Sequence, residues 1–450
     1  MLHDQNLLST DRIGRLLLRL AIPAIISQVT NMLYNIVDRV FIGHIPNTGA
    51  DALTGLGLCF PIIMSISAFS SLFGMGGAPK AAIEMGKNNN AQAEKILGNC
   101  FTLLLVVSLL LSGIFLLFGQ DLLLLFGASN KTLPHAWDYL QIYVCGSCFV
   151  MVSLGLNPFI TTQGFASTAM ATVIIGAVLN IALDALFIYG FHMGIRGAAI
   201  ATIISQAVSA VWVLVFLTGG KTHLKIRVKN LLPKWNIISP VMALGLSPFV
   251  MQTTDSLLNV CFNSSLKKYG GDPAVGAMTI LSAVSQLCIM FLHGITQGGQ
   301  PIISYNYGAS KFERAKKASA LQLVLCLTSS ACIWLLIELF PGFFAAIFCE
   351  KKELLDLTAW ALRIYAAGLI ALGIQVSCQQ SFVSLERAKV SLAMACLRKL
   401  VLLIPLIYIL PHVVSNSLFA VFLAEPIADV LAASITVTFY IQTMKRIEEH

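Results

Sequence analysis

Polar side chains recur on one face of the first long apolar stretch, at the spacing of an α-helix. Asn31, Tyr34, Asn35 and Asp38 stand at positions i, i+3, i+4 and i+7, so they share one side of a helix. The alternative for Asp38 is a helix cap or an ion pair with Arg39, but adjacent helical residues point about 100° apart. The carboxylate therefore continues a polar stripe, which predicts a site for an ion or a polar solute.

A second carboxylate lies in a later apolar stretch, again with an amide one helical turn away. Asn180 and Asp184 are four residues apart, and Thr202 and Gln206 share one face of the next stretch. If these faces converge with Asp38, two carboxylates, amide oxygens and a hydroxyl surround one point. Such oxygens suit a small cation, and two nearby carboxylates could equally share a proton because their charges repel. Either reading predicts an ion-coupling site.

The second half of the chain carries a different set of polar residues. Glu425 and Asp429, four residues apart, either face a cavity or neutralise Arg398 or Lys399, and the sequence leaves both readings open. Asp255 is the strongest candidate for contact with a substrate. The predicted substrate cavity is lined by Asn31, Tyr34, Asn35, Gln206, Gln252, Asp255, Ser256, Asn259, Ser282, Gln286 and His293.

Composition indicates the elements that carry these residues. The 450 residues are 57% hydrophobic and 11% charged, with a mean hydropathy of +0.82, whereas a soluble protein has about 25% charged residues. Apolar stretches without strict alternation, long enough for about 20 helical residues, predict membrane-spanning helices rather than barrel strands. The twelve predicted spans are 14–43, 52–79, 92–118, 135–160, 165–191, 195–218, 237–268, 273–300, 313–340, 354–383, 388–410 and 414–442.

A long internal repeat divides these spans into two sets of six. Gly76-Gly77-Ala78-Pro79 reappears 222 residues later as Gly298-Gly299-Gln300-Pro301. An even number of spans in each half gives both halves the same orientation, so the repeat is parallel. We therefore predict an all-α integral membrane protein with two six-helix bundles: lobe 1–218, a cytoplasmic linker 219–236, and lobe 237–450.

The distribution of Lys and Arg predicts the orientation. With the N-terminus inside, the inner segments hold most of the basic residues, including those of linker 219–236, so both termini are expected in the cytoplasm. The first span is expected to act as its own insertion signal. The basic loops lack a folded domain or interleaved aromatic residues, so we expect no nucleic-acid partner. The scattered cysteines are expected to be packing residues.

These residues resemble the multidrug and toxic compound extrusion (MATE) family. The pieces that carry the resemblance are Ile22-Pro23 followed by Asp38, the two Gly-Gly-x-Pro elements, Asn180-x-x-x-Asp184, and Gly197-Ala198-Ala199 followed by Thr202. Ser304-Tyr305-Asn306-Tyr307-Gly308 is similar to the MepA-like bacterial branch. The resemblance covers nearly the whole chain.

The resemblance implies twelve helices and export of amphipathic, mostly cationic drugs in exchange for Na⁺ or H⁺, by alternating access. It assigns ion coupling, and Na⁺ ligation if sodium is used, to Asp38, Asn180, Asp184 and Thr202. It implies a monomer in the bacterial plasma membrane, with no enzymatic activity and no cofactor beyond the coupling ion. In some family members the acids lie in helices 7 and 10, but the middle of the tenth span here has only Gln375, Gln379 and Gln380.

Two other functions stay open on sequence grounds. A flippase for lipid-linked precursors belongs to the same broad superfamily. Its phosphate-bearing cargo would need basic residues in the cavity, but the predicted cavity has acids and amides, apart from Arg398. A membrane-embedded enzyme would need a nucleophile with a base, and His293 with Asp255 is the nearest approach to such a set.

Overall fold

The computed structural model describes residues 7–348 and 352–447, and every long element within them is a helix. Residues 1–6, 349–351 and 448–450, which belong to the predicted lobes, lie outside the described residues. The helices are α1 (Leu7–Thr10), α2 (Ile13–Gly43), α3 (Gly49–Gly86), α4 (Asn90–Leu125), α5 (Thr132–Cys145), α6 (Ser147–Thr162), α7 (Ala166–Asp184), α8 (Gly194–Thr218), α9 (Trp235–Gly308), α10 (Phe312–Leu339), α11 (Pro341–Ala346), α12 (Lys352–Ala366), α13 (Leu369–Ser384), α14 (Ala388–Cys396), α15 (Ile404–Val413) and α16 (Ser417–Arg446).

The predicted class, an all-α integral membrane protein, is confirmed. Many of the helices are long and apolar enough to cross a membrane. Nine qualify among the described residues, and eleven spans result when the bent pairs α5–α6 and α12–α13 each count as one. Gly271, with φ 67° and ψ −163°, interrupts the 74-residue α9 and divides it into two spans. The number of spans then agrees with the twelve predicted from the apolar stretches.

Two of these spans contain a π-helical turn. Ala185–Gly190 continues α7 as a π-helical turn, and Leu397–Leu403 joins α14 to α15 in the same way. A π-helical turn adds one residue to the hydrogen-bonded ring, which changes the direction of the side chains that follow, and such turns are frequent at functional sites. The first turn directly follows Asp184, and the second contains Arg398 and Lys399.

Packing groups the described chain into two compact units. The first contains the described residues up to Thr10 together with Ile26–Phe249, and the second contains Asp11–Ile25 and the described residues from Val250 onwards. The helices α2 and α9 therefore each contribute residues to both units. The predicted six-helix lobes 1–218 and 237–450 stay a prediction.

Small residues allow close helix packing in the first unit. A Cβ atom added to Gly74 on α3 would lie 2.6 Å from the backbone oxygen of Gly155 on α6, so the two backbones are almost in contact. This is the packing that lets helices approach in lipid, where no hydrophobic effect drives them together.

The core of the second unit is formed by large apolar side chains from several helices. Phe262 on α9, Phe382 on α13 and Phe422 on α16 are almost fully buried. The ring of Trp360 meets that of Phe422 edge to face, with centroids 6.2 Å apart. The contact between these two rings holds α12 and α16 together.

Candidate functional site

The two carboxylates of the first half lie together in the structure. Asp38 on α2 is 8% exposed, and Asp184 at the end of α7 is fully buried. Their carboxyl groups are within hydrogen-bonding reach of each other. Two ionised carboxylates in such contact repel, so a proton or a cation between them stabilises the pair.

Several oxygen atoms of this site lack donors among the described residues. They are Oδ1 of Asp38, both carboxylate oxygens of Asp184, and Oδ1 of Asn180. Buried acceptors normally receive a hydrogen bond, since an unpaired one costs about 1–3 kcal/mol. Unpaired carboxylate and amide oxygens are the ligands that hard cations prefer. The donor set therefore fits Na⁺ and also fits a bound proton.

Asn180 and Thr202 join the carboxylates from two adjacent helices. Nδ2 of Asn180 on α7 donates to Oγ1 of Thr202 on α8 at 3.4 Å. Because its nitrogen is engaged in this way, Asn180 keeps its amide oxygen available as a ligand. Asn180 also lies one helical turn before Asp184. The structure thus brings together the four residues predicted for ion coupling, and their role in coupling stays a prediction.

A π-helical turn and one hydrogen bond position the two acidic helices. The π-helical turn Ala185–Gly190 begins directly after Asp184. From this turn, the hydroxyl of Tyr189 donates to the backbone oxygen of Phe41 at 3.0 Å. Phe41 lies three residues beyond Asp38 on α2, so the contact fixes α2 beside the end of α7.

Tyr139 is a part of this site that sequence reasoning missed. This residue of α5 is 3% exposed, and its hydroxyl lies near Thr202 and near the carboxylate of Asp38. Its ring stacks on that of Tyr143, with centroids 6.0 Å apart. The available signal was a pair of tyrosines four residues apart, which mark one face of the fourth span.

A polar cleft lies beside the ion site within the first unit. Asn180 and Thr202 belong to both the cleft and the ion site, which makes them the direct link between the two. The cleft is lined by Asn31, Tyr34, Ser153, Leu154, Asn157, Thr172, Val173, Gly176, Ala177, Asn180, Thr202, Ser205, Gln206 and Ser209.

Three of the four cavity residues predicted in the first half line this cleft, namely Asn31, Tyr34 and Gln206. Asn35 does not line it, because its exposed side chain donates to the backbone oxygen of Asn31 at 2.6 Å. Sequence reasoning missed Asn157, whose Nδ2 donates to Ala169 O at 3.2 Å while its buried Oδ1 has no donor. The available signal was an amide side chain, Asn157, within the apolar fourth span.

Glu425 and Asp429, the acidic pair of the second half, share one cationic partner. Arg398 donates from Nε to Oδ1 of Asp429 at 2.6 Å and from Nη2 to Oε1 of Glu425 at 2.8 Å. The side chains of all three are at most 12% exposed. Of the two readings that the sequence left open, neutralisation of Arg398 is therefore the one observed.

Asp255 pairs with the neighbouring cation, Lys399. The ammonium group of Lys399 donates to Oδ1 of Asp255 and, at 2.6 Å, to the backbone oxygen of Met251. The side chain of Lys399 is 6% exposed and that of Asp255 is 61% exposed. The acid is accessible but already paired, so its predicted contact with a substrate would require competition with Lys399.

The remaining predicted cavity residues of the second half differ in exposure. His293 is half-buried and lies near both Asp255 and Lys399. Gln252, Ser256 and Ser282 are half-buried, whereas Asn259 and Gln286 are exposed. Their contact with a substrate stays a prediction.

Comparison with known proteins assigns the chain to a family. The MatE family model matches residues 23–186 and 249–409, which is well over half of the chain. The chain belongs to the MatE family. The first matched stretch contains Asp38, Asn180 and Asp184, and the second contains Arg398 and Lys399. The predicted MATE resemblance, made from the residues alone, is confirmed.

Relatives within the MatE family are transporters by name. The chain is 23% identical over 362 residues to the multidrug export protein MepA of Staphylococcus haemolyticus, covering 80% of this chain and 79% of that protein. It is 24% identical over 439 residues to the FAD transporter of Shewanella oneidensis, covering 96% and 95%. Among solved structures, an outward-facing multidrug resistance MATE family transporter of the MOP superfamily superposes with a TM-score of 0.93 at 23% identity, covering 100% and 99%. This last likeness establishes the MATE fold, and the chain is thus a multi-span membrane protein of that fold.

Proposed function

We propose that this chain exports amphipathic, mostly cationic organic compounds in exchange for Na⁺ or H⁺. The observation that carries the proposal is the proximity of Asp38 and Asp184, two buried carboxyl groups with three buried oxygens that lack donors among the described residues. Such a pair binds one positive charge, whether proton or sodium ion, and loses it when the site opens to a side where that ion is scarce. The MepA relatives, which are named multidrug export proteins, support this cargo class.

Coupling requires that the ion and the cargo favour different conformations. A ligand shifts a conformational equilibrium only by its difference in affinity between the two states. Asn180 and Thr202 lie in both the ion site and the polar cleft, so an ion bound by Asp38 and Asp184 would also reorder the cleft lining. We infer that ion entry from outside favours release of cargo, and that ion loss inside restores cargo binding.

The proposal extends to location and assembly. We place the chain in the bacterial plasma membrane as a monomer, with both termini in the cytoplasm and no cofactor apart from the coupling ion. The five basic residues of linker 219–236, which has no acidic residue, support this orientation because short cytoplasmic loops are enriched in Lys and Arg.

The first prediction is that Asp38→Asn and Asp184→Asn each abolish gradient-driven transport. Asparagine keeps the shape of the side chain but removes the charge, so the pair no longer needs a cation. The measurement is uptake of a fluorescent organic cation into inverted membrane vesicles with an imposed ion gradient. We expect uptake by both variants to fall to the level of vesicles that lack the protein.

A matched control is Asp121→Asn, which makes the same change at an exposed acid of α4 and should leave uptake unchanged. Equal amounts of each protein in the membrane must be confirmed by immunoblotting. Normal driven uptake by both Asp38→Asn and Asp184→Asn would defeat the proposal.

A phosphate-bearing cargo is the second candidate. The FAD transporter of Shewanella oneidensis matches almost the whole chain, and Arg398 and Lys399 are buried cations. Both cations are already paired with acids, which counts against both this cargo and the lipid-linked precursors considered from the sequence. Competition of FAD with the fluorescent cation in the vesicle assay distinguishes the two cargo classes.

A further inference from the structure

The linker between the halves of the chain, residues 219–236, presents an unusual outer surface. Its side chains Val228, Leu232 and Trp235 are 85%, 74% and 73% exposed. These are among the most exposed large apolar side chains of the described residues, and they alternate with lysines. Apolar and basic side chains that share one exposed surface are typical of segments that lie in the membrane interface.

This surface is held in place rather than free to collapse. Oε1 of Gln163, at the end of α6, accepts hydrogen bonds from the hydroxyl of Thr222 and from the backbone nitrogens of His223 and Leu224, at 2.8–2.9 Å. Leu224, within this part of the linker, is fully buried. The first part of the linker is therefore clamped to the first unit through its backbone.

The second part of the linker is fixed to α4. The side chain of Asn99 donates to Asn230 O at 3.1 Å and accepts from Lys234 N at 2.7 Å, and Thr102 donates to Leu231 O at 2.7 Å. Because the polar backbone groups face α4, the side chains of Val228 and Leu232 are left outward. The apolar exposure is a consequence of this docking.

Most of the positive charge of the linker has no partner among the residues that the structure describes. Arg227 pairs with Glu94 at 2.8 Å. The exposed ammonium groups of Lys221, Lys229 and Lys234 make no hydrogen bond or ion pair with the described residues. The linker contains no acidic residue, so the exposed surface is cationic as well as apolar.

The length of α4 places this surface at the level of the lipid headgroups. The 36 residues of α4 span about 54 Å, which is longer than the roughly 30 Å of hydrocarbon. Its third and fourth turns, where Asn99 and Thr102 hold the linker, thus lie towards one edge of the hydrocarbon. Trp235 is the first residue of α9, and tryptophan is enriched where spanning helices enter the interface.

We propose that the exposed face of the linker, formed by Val228, Lys229, Leu232, Lys234 and Trp235, binds the headgroups of anionic phospholipids in the cytoplasmic leaflet. The apolar side chains enter the boundary between headgroups and acyl chains, and the lysines contact the phosphates. Each lysine near an anionic surface strengthens such binding about five-fold. Gln163, Asn99 and Thr102 attach this lipid-binding linker to the unit that also carries the ion site.

The test uses the full chain in nanodiscs that contain phosphatidylcholine with a minor fraction of phosphatidylglycerol. Native mass spectrometry measures how many phosphatidylglycerol molecules remain bound after release. We expect Lys229→Gln/Lys234→Gln to lower the retention of phosphatidylglycerol relative to phosphatidylcholine by roughly ten-fold or more. The matched control, Lys267→Gln/Lys268→Gln, removes two exposed lysines from α9 and should retain the lipid.

A second measurement does not depend on lysine substitutions. Phosphatidylglycerol with brominated acyl chains quenches a tryptophan that lies in the interface, and the chain has five tryptophans. The wild-type protein should lose a component of emission that Trp235→Phe lacks. Equal lipid loss in both lysine variants, or no quenching that depends on Trp235, would overturn the proposal.

Discussion

At the scale of single residues, two clusters of buried acids differ in whether they have hydrogen-bond donors. Asp38 and Asp184 face each other without donors among the described residues, whereas Asp429 receives a hydrogen bond from Arg398. Both patterns begin from the same sequence feature, a carboxylate one helical turn from another polar group. A carboxylate pair without donors can bind and release a cation, while an acid bonded to arginine is already neutralised.

The partners of these acids could be predicted only in part. The spacing of Asn180 and Asp184 placed them on one face, and the structure agrees. The spacing of Glu425 and Asp429 did the same, but a one-dimensional pattern does not specify which cation on another helix reaches them. The contact depends on the distance between helices, which local sequence does not contain.

The second prediction is that loss of Arg398 destabilises the protein strongly. Arg398→Met leaves Asp429 and Glu425 buried with no guanidinium, and breaking a buried ion pair in this way costs about 3–5 kcal/mol. The triple variant Arg398→Met/Glu425→Gln/Asp429→Asn removes all three charges, so it should recover part of the loss. Thermal unfolding in detergent, compared across a mutant cycle, measures both effects.

The control for this prediction is Arg196→Met, which breaks an ion pair with Asp138 whose arginine side chain is 58% exposed. Solvent screens such pairs, so the unfolding temperature should change little. If the triple variant is less stable than Arg398→Met alone, the buried cluster stabilises the fold by more than charge neutralisation, contrary to the argument.

At the scale of helices, a π-helical turn carries the two buried cations of the second half. Arg398 and Lys399 are adjacent in sequence, and Arg398 reaches α16 while Lys399 reaches α9. Both lie in the π-helical turn Leu397–Leu403, where the side-chain directions of an α-helix no longer hold. Apolar periodicity averaged over a span does not reveal one inserted residue, so the sequence predicted the span but not these directions.

The third prediction concerns close packing between α3 and α9 within the first unit. A Cβ atom at Gly245 would lie 1.8 Å from the backbone oxygen of Leu72, and a backbone atom of a packed helix cannot move aside cheaply. We therefore expect Gly245→Ala to lower the unfolding temperature and the yield of folded protein. Fluorescence-detected size-exclusion chromatography after a temperature series measures both quantities.

The matched change is Gly113→Ala in α4, where nothing lies within 4 Å of the added atom. Alanine is favoured over glycine in a helix by about 1 kcal/mol, so this variant should be as stable as the wild type or more so. Equal stability of the two alanine variants would show that the approach of α9 to Leu72 tolerates a side chain.

At the scale of the whole molecule, the apolar stretches were sufficient to predict the number of spans. Twelve stretches of the required length correspond to the described helices, because lipid forces each segment to form its own backbone hydrogen bonds. The breaks within spans were harder to predict. The bend of 57° between α5 and α6 occurs within a continuous apolar run, and hydropathy does not distinguish a bent helix from a straight one.

The fourth prediction is that ion coupling resides in the first half of the chain. Among the described residues, the buried carboxylate oxygens without donors belong to Asp38 and Asp184, while Asp255 is paired with Lys399. The variant Asp255→Asn/Lys399→Gln replaces that pair by neutral side chains without leaving a buried charge. We expect it to keep gradient-driven export, although its range of substrates changes because an accessible carboxylate is lost.

The decisive measurement varies the sodium gradient and the pH gradient independently in vesicles that contain each variant. The wild type and Asp255→Asn/Lys399→Gln should respond to the same gradient, and Asp184→Asn should respond to neither. This pattern would follow because Asp38 and Asp184 lack donors among the described residues, whereas Asp255 is already paired with Lys399. Loss of the response in Asp255→Asn/Lys399→Gln, at normal abundance in the membrane, would instead place part of the coupling in the second half and refute the division of roles between the two.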